Sequence, residues 1–130
     1  MITITITAFY AGLTALLFIG VSYHVSHLRI RTRVSSGDGG EKALAKAIRV
    51  QGNFAEYAPL ALILLTLGEL QGASGWALHV LGIMFVCGRI LHMVGYGRTP
   101  QIPRLRQVGM VLTYSMITFA GFLNLARAIF

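Results

Sequence analysis

Long apolar stretches alternate with short polar ones along the chain. The first stretch, residues 1–28, contains no Asp, Glu, Lys or Arg, and three more cover about 48–70, 76–96 and 107–126. A helix needs about 20 mostly apolar residues to cross a bilayer. The pattern therefore predicts an all-α membrane protein with four transmembrane helices. The short connections predict that consecutive helices pack as antiparallel neighbours in one bundle.

Three polar segments connect the predicted helices, over residues 29–46, 71–75 and 97–106. The first contains the turn sequence GDGG, and the third contains two prolines and is predicted to be a loop. Lys and Arg number five in the first segment, three in the third and none in the second. Because basic residues stay on the cytoplasmic side of a membrane, we expect loops one and three to be cytoplasmic and both termini to face outside.

The composition supports a membrane protein of one domain, residues 1–130. Of its 130 residues, 55% are hydrophobic and 12% charged, and the mean hydropathy is +0.70, whereas soluble domains are roughly 25% charged. The net charge of +7 would suit a nucleic-acid binder. The basic residues, however, cluster between apolar stretches, so membrane topology explains them and we expect no nucleic-acid partner.

Cysteine and histidine give little support for a metal site. Cys87 is the single cysteine and cannot form an internal disulfide. His24 and His27 have i, i+3 spacing without a carboxylate beside them, and His79 and His92 lie at opposite ends of the third predicted helix. We therefore expect no metal.

The second predicted helix begins with a set of polar residues on one side. At about 100° per residue, one face roughly 100° wide holds Arg49, Asn53, Glu56 and Tyr57, whereas Gln51 points to a different neighbour. Glu56 lies about 10 Å along the helix from Arg49, inside the membrane boundary. A charge near the bilayer centre costs at least about 2.5–3.5 kcal/mol, so we expect Glu56 to have a partner. Arg49 is the nearest candidate in sequence.

Two interpretations of these charges remain open. Glu56 and Arg49 could form a structural ion pair that sets helix register, or they could belong to a ligand site, since ionisable residues inside a membrane are functional by default. The third helix adds Arg89, His92 and Tyr96 within about 60° on one face, and Arg89 is the natural partner for Glu56 on the neighbouring helix. His92 and Tyr96 could each be structural, but the face that they share with Arg89 favours a common pocket.

Arginine dominates the end of the bundle at which this pocket would open. The arginines there are Arg29, Arg31, Arg33, Arg49, Arg98, Arg104 and Arg106. Arginine binds carboxylates bidentately, and Glu56, the one intramembrane acid of the cluster, could hold an ammonium group. The charges therefore favour a small peptide-like zwitterion with two carboxylates.

The stretch "RVQGNFAEYAPL", residues 49–60, closely resembles the signature of the MAPEG family, the membrane-associated proteins in eicosanoid and glutathione metabolism. Its pattern looks like that of the leukotriene C synthase and microsomal glutathione transferase branches. The stretch "GRILHMVGYGR", residues 88–98, resembles the family's third helix, and the GDGG loop is similar to short bacterial members. The resemblance covers all four predicted spans. It implies a homotrimer of four-helix subunits with glutathione bound between neighbours near the cytoplasmic side.

The resemblance also assigns roles to residues of this chain. It implies that one subunit holds glutathione through Arg49, Asn53, Glu56, Tyr57 and Tyr96, with His92 beside them where other members have tyrosine. Gln51 and Arg29 would reach in from the neighbouring subunit. In the family that the chain resembles, an arginine after the third span activates the thiol. The matching position here falls between Arg104 and Arg106, of which we favour Arg104.

Three classes of function follow. The first is a glutathione transferase or lipid-peroxide peroxidase that acts on a hydrophobic electrophile entering from the bilayer. The second is a non-catalytic membrane binding protein of the same fold, which would not need to retain the loop arginines. The third is a small multidrug exporter with Glu56 as its proton carrier, which the surrounding arginines disfavour. The compact chain indicates a bacterial inner membrane.

Overall fold

The computed structural model describes residues 4–130, so the start of the predicted first span, residues 1–3, lies outside the described residues. Four helices follow one another along the chain: α1 (Thr5–Thr32), α2 (Lys42–Leu70), α3 (Gly75–Gly97) and α4 (Pro103–Ile129). Residues 4–130 contain no β-strand. The predicted all-α four-helix bundle is confirmed.

Membrane-spanning character is strongest in α1, α3 and α4, which are the 3 described helices long and apolar enough to cross a membrane by length and composition. α2 has 29 residues but falls short in composition, because it carries the polar residues of the predicted site. α2 also packs against each of the other three helices, whereas α1 and α4 are not in contact. α3 likewise contacts the other three helices, so α2 and α3 are the two central helices of the bundle.

Two helix boundaries differ from the sequence prediction. α1 continues past the expected loop start and ends at Thr32, and the next residue, Arg33, has a left-handed φ of 57°. α4 begins at Pro103, inside the segment predicted to be a loop, because proline is well suited to the first turn of a helix, where its missing N–H is not needed. Arg104 and Arg106 consequently lie on the first turn of α4, not in a loop.

The start of α1 is held by a carboxylate from the far end of α2. Glu69 accepts hydrogen bonds from the backbone N–H of Ile6 at 2.9 Å and of Thr7 at 2.7 Å. The first N–H groups of a helix have no partner within it, and negative charge is favourable at this end of the helix dipole. Glu69 therefore both satisfies these donors and ties α1 to α2.

Glycine brings the backbones of α3 and α4 into direct contact. A Cβ atom on Gly109 would lie 2.5 Å from the backbone nitrogen of His92 and 2.6 Å from the backbone oxygen of Gly88. Small residues allow such close approach in membrane bundles. The contact fixes the position of His92 relative to α4.

Apolar side chains fill the remaining space between the helices. The main buried cluster joins all four helices and consists of Tyr10, Phe54, Ala58, Ala61, Leu65, Leu78, Leu81, Phe85, Met116 and Ala120. A smaller cluster of Val25, Leu44 and Ala47 closes the end at which the first loop lies. Many large apolar side chains remain exposed on the outside, such as Ile19 and Phe119, as expected of surfaces that face lipid.

Candidate functional site

A buried arginine lies at the centre of the polar residues. Arg89 of α3 is 1% exposed. Its Nη2 donates to Oδ1 of Asn53 on α2 at 2.5 Å, and its Nη1 donates to Oγ1 of Thr113 on α4 at 3.3 Å. Nη2 also lies 3.3 Å from Nδ1 of His92. Because a guanidinium has only donors, this nitrogen of His92 accepts, and the guanidinium links three helices.

The expected contact between Arg89 and Glu56 is not formed. Among residues 4–130 the one ion pair is between Arg49 and Glu56, and Nε of Arg89 has no hydrogen-bond partner in that part of the chain. The guanidinium instead lies over the rings of Phe54 and Tyr57, with Cζ 5.4 Å and 5.8 Å from their centroids. The carboxylate of Glu56 pairs with Arg49 on its own helix. The charge of Arg89 is therefore surrounded by amide, hydroxyl and aromatic groups and not by a carboxylate.

Arg49 and Glu56 form the predicted pair along α2. Nη1 of Arg49 lies 3.5 Å from Oε1 of Glu56, and the two side chains are 59% and 51% exposed. An exposed pair of this kind contributes little to stability, typically about 0–1 kcal/mol. The pair therefore lies on an open face of the bundle, with both charges accessible.

Tyr57 meets a tyrosine that the sequence did not single out. Its hydroxyl lies 3.2 Å from that of Tyr114 on α4, and the rings pack edge to face with centroids 5.6 Å apart. Thr113, which precedes Tyr114 on α4, is the residue that accepts the hydrogen bond from Nη1 of Arg89. Thr113 and Tyr114 lie in the predicted span 107–126, which carries no charge, so charge could not have indicated them. The feature of the sequence that could have done so is the i, i+4 spacing of Gly109 and Thr113, since small residues at this spacing are typical of close helix contacts.

The end of α3 and the start of α4 form the other side of the site. Tyr96 stacks on His92, with ring centroids 5.9 Å apart and an interplanar angle of 18°. Cζ of Arg106 lies 5.5 Å from the centroid of Tyr96, within cation–π range. Gly95 makes this possible, because any Cβ there would collide with the backbone of Arg106.

The remaining predicted residues lie apart from this group. Arg104 is exposed on the first turn of α4. Arg29 donates to the backbone oxygen of Gly37 at 2.8 Å and so orders the first loop. Gln51 donates to Oγ of Ser22 on α1 at 2.9 Å, as expected from its orientation away from Arg49. The structure thus joins one network of contacts around Arg89, whose members among the predicted residues are Asn53, Tyr57, Arg89, His92, Tyr96 and Arg106. The Arg49–Glu56 pair forms no contact with this network.

Metal ligands are not gathered in the same way. Within residues 4–130, no group of three or more His, Cys, Asp or Glu side chains lies close enough together to hold a metal ion. Cys87 is a free, exposed thiol on α3. The polar groups that the site brings together are guanidinium, amide, imidazole and phenol groups, with a carboxylate on the neighbouring face of α2.

These features define a small helical membrane protein with an arginine-rich polar site at one end of its bundle. The model of the MAPEG family matches residues 7–126, and the chain belongs to this family, as its motifs predicted. It is similar to "Inner membrane protein YecN" of Escherichia coli (strain K12), with 38% identity over 120 residues that cover 92% of this chain and 90% of the relative. A relative of the same name from Escherichia coli O6:H1 has the same identity and coverage.

Proposed function

We propose that this protein is a membrane-embedded glutathione transferase or peroxidase that acts on hydrophobic electrophiles as a homotrimer. The observation that supports this best is the open Arg49–Glu56 pair, of which each side chain is more than half exposed in one subunit. A charge that faces lipid near the bilayer centre costs at least about 2.5–3.5 kcal/mol, and the cost falls toward the interface. A neighbouring subunit and a charged ligand would together remove that cost.

Glutathione matches the charges of this face. Its two carboxylates would be bound by arginine, with Arg49 as the first candidate, because a guanidinium binds carboxylate bidentately. Its ammonium would lie against Glu56. Tyr57 and Tyr96 supply hydroxyl groups for its amides, and Arg29 and Gln51 of a neighbouring subunit would close the site.

We assign a positioning role to Arg89, which holds the side chains of Asn53 and His92 in place for the ligand. Arg89 uses its donors on Asn53, Thr113 and His92. This bonding leaves the amide nitrogen of Asn53 free to donate to a ligand. It also leaves Nε2 of His92 as the nitrogen that carries the proton, since Nδ1 accepts.

Arg106 is our candidate for thiol activation, in place of Arg104. A nearby cation lowers the pKa of a thiol and so raises the thiolate fraction, with the proton released to water. Arg106 lies over Tyr96, whereas Arg104 is exposed. The thiolate sulfur would form a C–S bond with an electrophilic carbon, either expelling a leaving group as its anion or, at an activated C=C bond, leaving a carbanion that takes a proton from water. With a lipid peroxide it would attack one oxygen of the O–O bond, which breaks and releases the lipid alcohol. The thiol of a second glutathione would then displace water from the resulting sulfenic acid to give the disulfide.

A non-catalytic membrane protein that binds glutathione or lipid is the alternative. The accessible charges of the Arg49–Glu56 pair would serve a site that only binds as well as one that catalyses. Both proposals use the same ligand site. They differ in whether the bound ligand reacts with an electrophile.

Calorimetric titration of the detergent-purified protein with glutathione tests the site. We expect saturable binding that weakens at least about tenfold in Arg49→Ala, because a hydrogen bond to a charged group contributes about 1.5–3 kcal/mol. Arg127→Ala is the matched control, since Arg127 lies at the opposite end of the bundle, where it donates to the backbone oxygen of Gln71. Equal binding by both variants, or no binding by the folded wild type, would contradict the proposed site.

Thiolate absorbance of bound glutathione then separates the two arginines. We expect Arg106→Leu to lose the thiolate signal and Arg104→Leu to retain it. The opposite result would assign activation to Arg104. A folded wild type that binds glutathione but conjugates none of a panel of electrophiles would establish the binding-protein alternative.

Oligomeric state and location are part of the same proposal. We propose a trimer in a bacterial inner membrane, with loops one and three in the cytoplasm and both termini outside. Native mass spectrometry should give the mass of three chains. Cysteine labelling at an engineered residue in the first loop should proceed only after the membrane is made permeable.

A further inference from the structure

A second concave region lies between α1, α2 and α3, at the end of the bundle where the first and third loops lie. Its cavity volume is about 580 Å³, within the range of about 300–1,000 Å³ that is typical of small-molecule pockets. On α3 it is lined by Met93, Val94 and Gly97, a different helix face from that of His92 and Tyr96. We call this region the α1–α3 groove.

The α1–α3 groove is long and apolar. Its α1 side is a stripe at helical spacing from Leu16 to Leu28, which corresponds to about 18 Å of helix. Ala47 and Val50 of α2 line it as well. Gly20 belongs to the stripe, and a Cβ added there would meet nothing within 4 Å. The groove therefore offers an extended, open apolar track along α1.

Basic and polar groups gather at one end of the α1–α3 groove. Lys46, Arg98 and Thr99 line that end, with His24 one turn before Leu28. Nζ of Lys46 donates to the backbone oxygen of Arg98 and to Oγ1 of Thr99, both at 2.9 Å. An ammonium has three N–H donors, so one is left. Among the described residues that line the groove none is acidic.

We propose that the α1–α3 groove binds an anionic membrane phospholipid, with an acyl chain along α1 and the phosphate at Lys46 and Arg98. The basic end coincides with the ends of α1 and α3. In a membrane that these helices span, this end would lie near the lipid headgroups and the apolar track beside the acyl chains. Basic pockets between transmembrane helices are suited to anionic headgroups. The proposal does not rest on glutathione binding, because the groove and the Arg49 site use different residues.

Lipid retention in native mass spectrometry tests the proposal. The purified protein is titrated with phosphatidylglycerol and, separately, with phosphatidylcholine of the same acyl chains. We expect phosphatidylglycerol to be retained in preference. Gly20→Phe should fill the groove and abolish retention of both lipids. Gly12→Phe is the matched control on the same helix, since a Cβ at Gly12 also meets nothing within 4 Å and Gly12 does not line the groove.

A charge variant tests the headgroup contact separately. Lys46→Gln should reduce the preference for phosphatidylglycerol about fivefold, since a basic residue near the membrane surface contributes about 1 kcal/mol toward anionic lipid. Lys42→Gln, one turn earlier on α2 and outside the groove, should leave the preference unchanged.

Three results would overturn the proposal. The first is equal retention of the two lipids by the wild type. The second is equal retention by Gly20→Phe and Gly12→Phe. The third is a change of oligomeric mass in Gly20→Phe alone, which would make the α1–α3 groove a contact between copies of the chain.

Discussion

The bond between Asn53 and Arg89 provides a direct test of how this bundle holds a buried charge. Arg89 is 1% exposed, and Oδ1 of Asn53 accepts from its Nη2 at 2.5 Å. Asn53→Leu removes this acceptor and keeps a similar side-chain size. A hydrogen bond to a charged group contributes about 1.5–3 kcal/mol, and a buried charge left without its partner costs about 3–5 kcal/mol. Because Thr113 still accepts from Nη1, we expect a loss of about 3 kcal/mol in the free energy of unfolding.

A double-mutant cycle isolates the bond itself. In Arg89→Met the charge is absent, so Asn53→Leu should cost much less in that background. We expect a coupling energy of about 1.5–3 kcal/mol. The measurement is reversible unfolding in mixed micelles of a denaturing and a mild detergent, followed by circular dichroism.

Asn124 supplies the control for this cycle. It is also a buried asparagine, but it donates to backbone oxygens, including that of Leu64 at 2.9 Å. Asn124→Leu and Arg89→Met should therefore be additive within about 0.3–0.5 kcal/mol. Additive losses for Asn53→Leu and Arg89→Met would refute the reasoning, since Arg89 would then be stable without Asn53.

Two further predictions concern the packing of the helices. Gly109→Ala should lower the free energy of unfolding by about 1–3 kcal/mol through overpacking, because its Cβ would lie 2.5 Å from the backbone nitrogen of His92. Gly121→Ala is the control on the same helix, since a Cβ there meets nothing within 4 Å, and it should not destabilise the protein. Equal effects of the two variants would contradict the close contact. Glu69→Gln should speed hydrogen exchange of the first amides of α1, since a neutral amide keeps one acceptor oxygen in place of two; unchanged exchange in this variant would show that the carboxylate does not hold the start of α1.

The helices and their order could be predicted from the sequence, because apolar stretches of membrane-spanning length leave few alternatives. The start of α4 could not. Two prolines indicate a loop, but Pro103 is compatible with a first helical turn, and local sequence does not decide between the two. The hydrogen bond from the backbone N–H of Ile102 to the oxygen of Gly95 at 2.8 Å directs the chain into α4.

The polar face of α2 was also readable, because helical periodicity fixes which of its residues share a side. The partner of Arg89 was not. Glu56 was the expected partner by charge, yet Arg89 binds Asn53 and Thr113. Charge alone does not set the choice, since hydrogen bonds require distances near 3 Å that depend on how three helices pack.

The sequence by itself therefore determined the family, the four-helix bundle and the residues that face one side of α2 and α3. Periodicity and composition act within single helices and need no knowledge of neighbours. The tertiary structure alone decided that Arg106 lies over Tyr96, that Tyr114 meets Tyr57 and that a groove opens beside α1. Each of these depends on how closely two helices approach, and that approach is set by small residues such as Gly95 whose effect appears only when the helices are packed together.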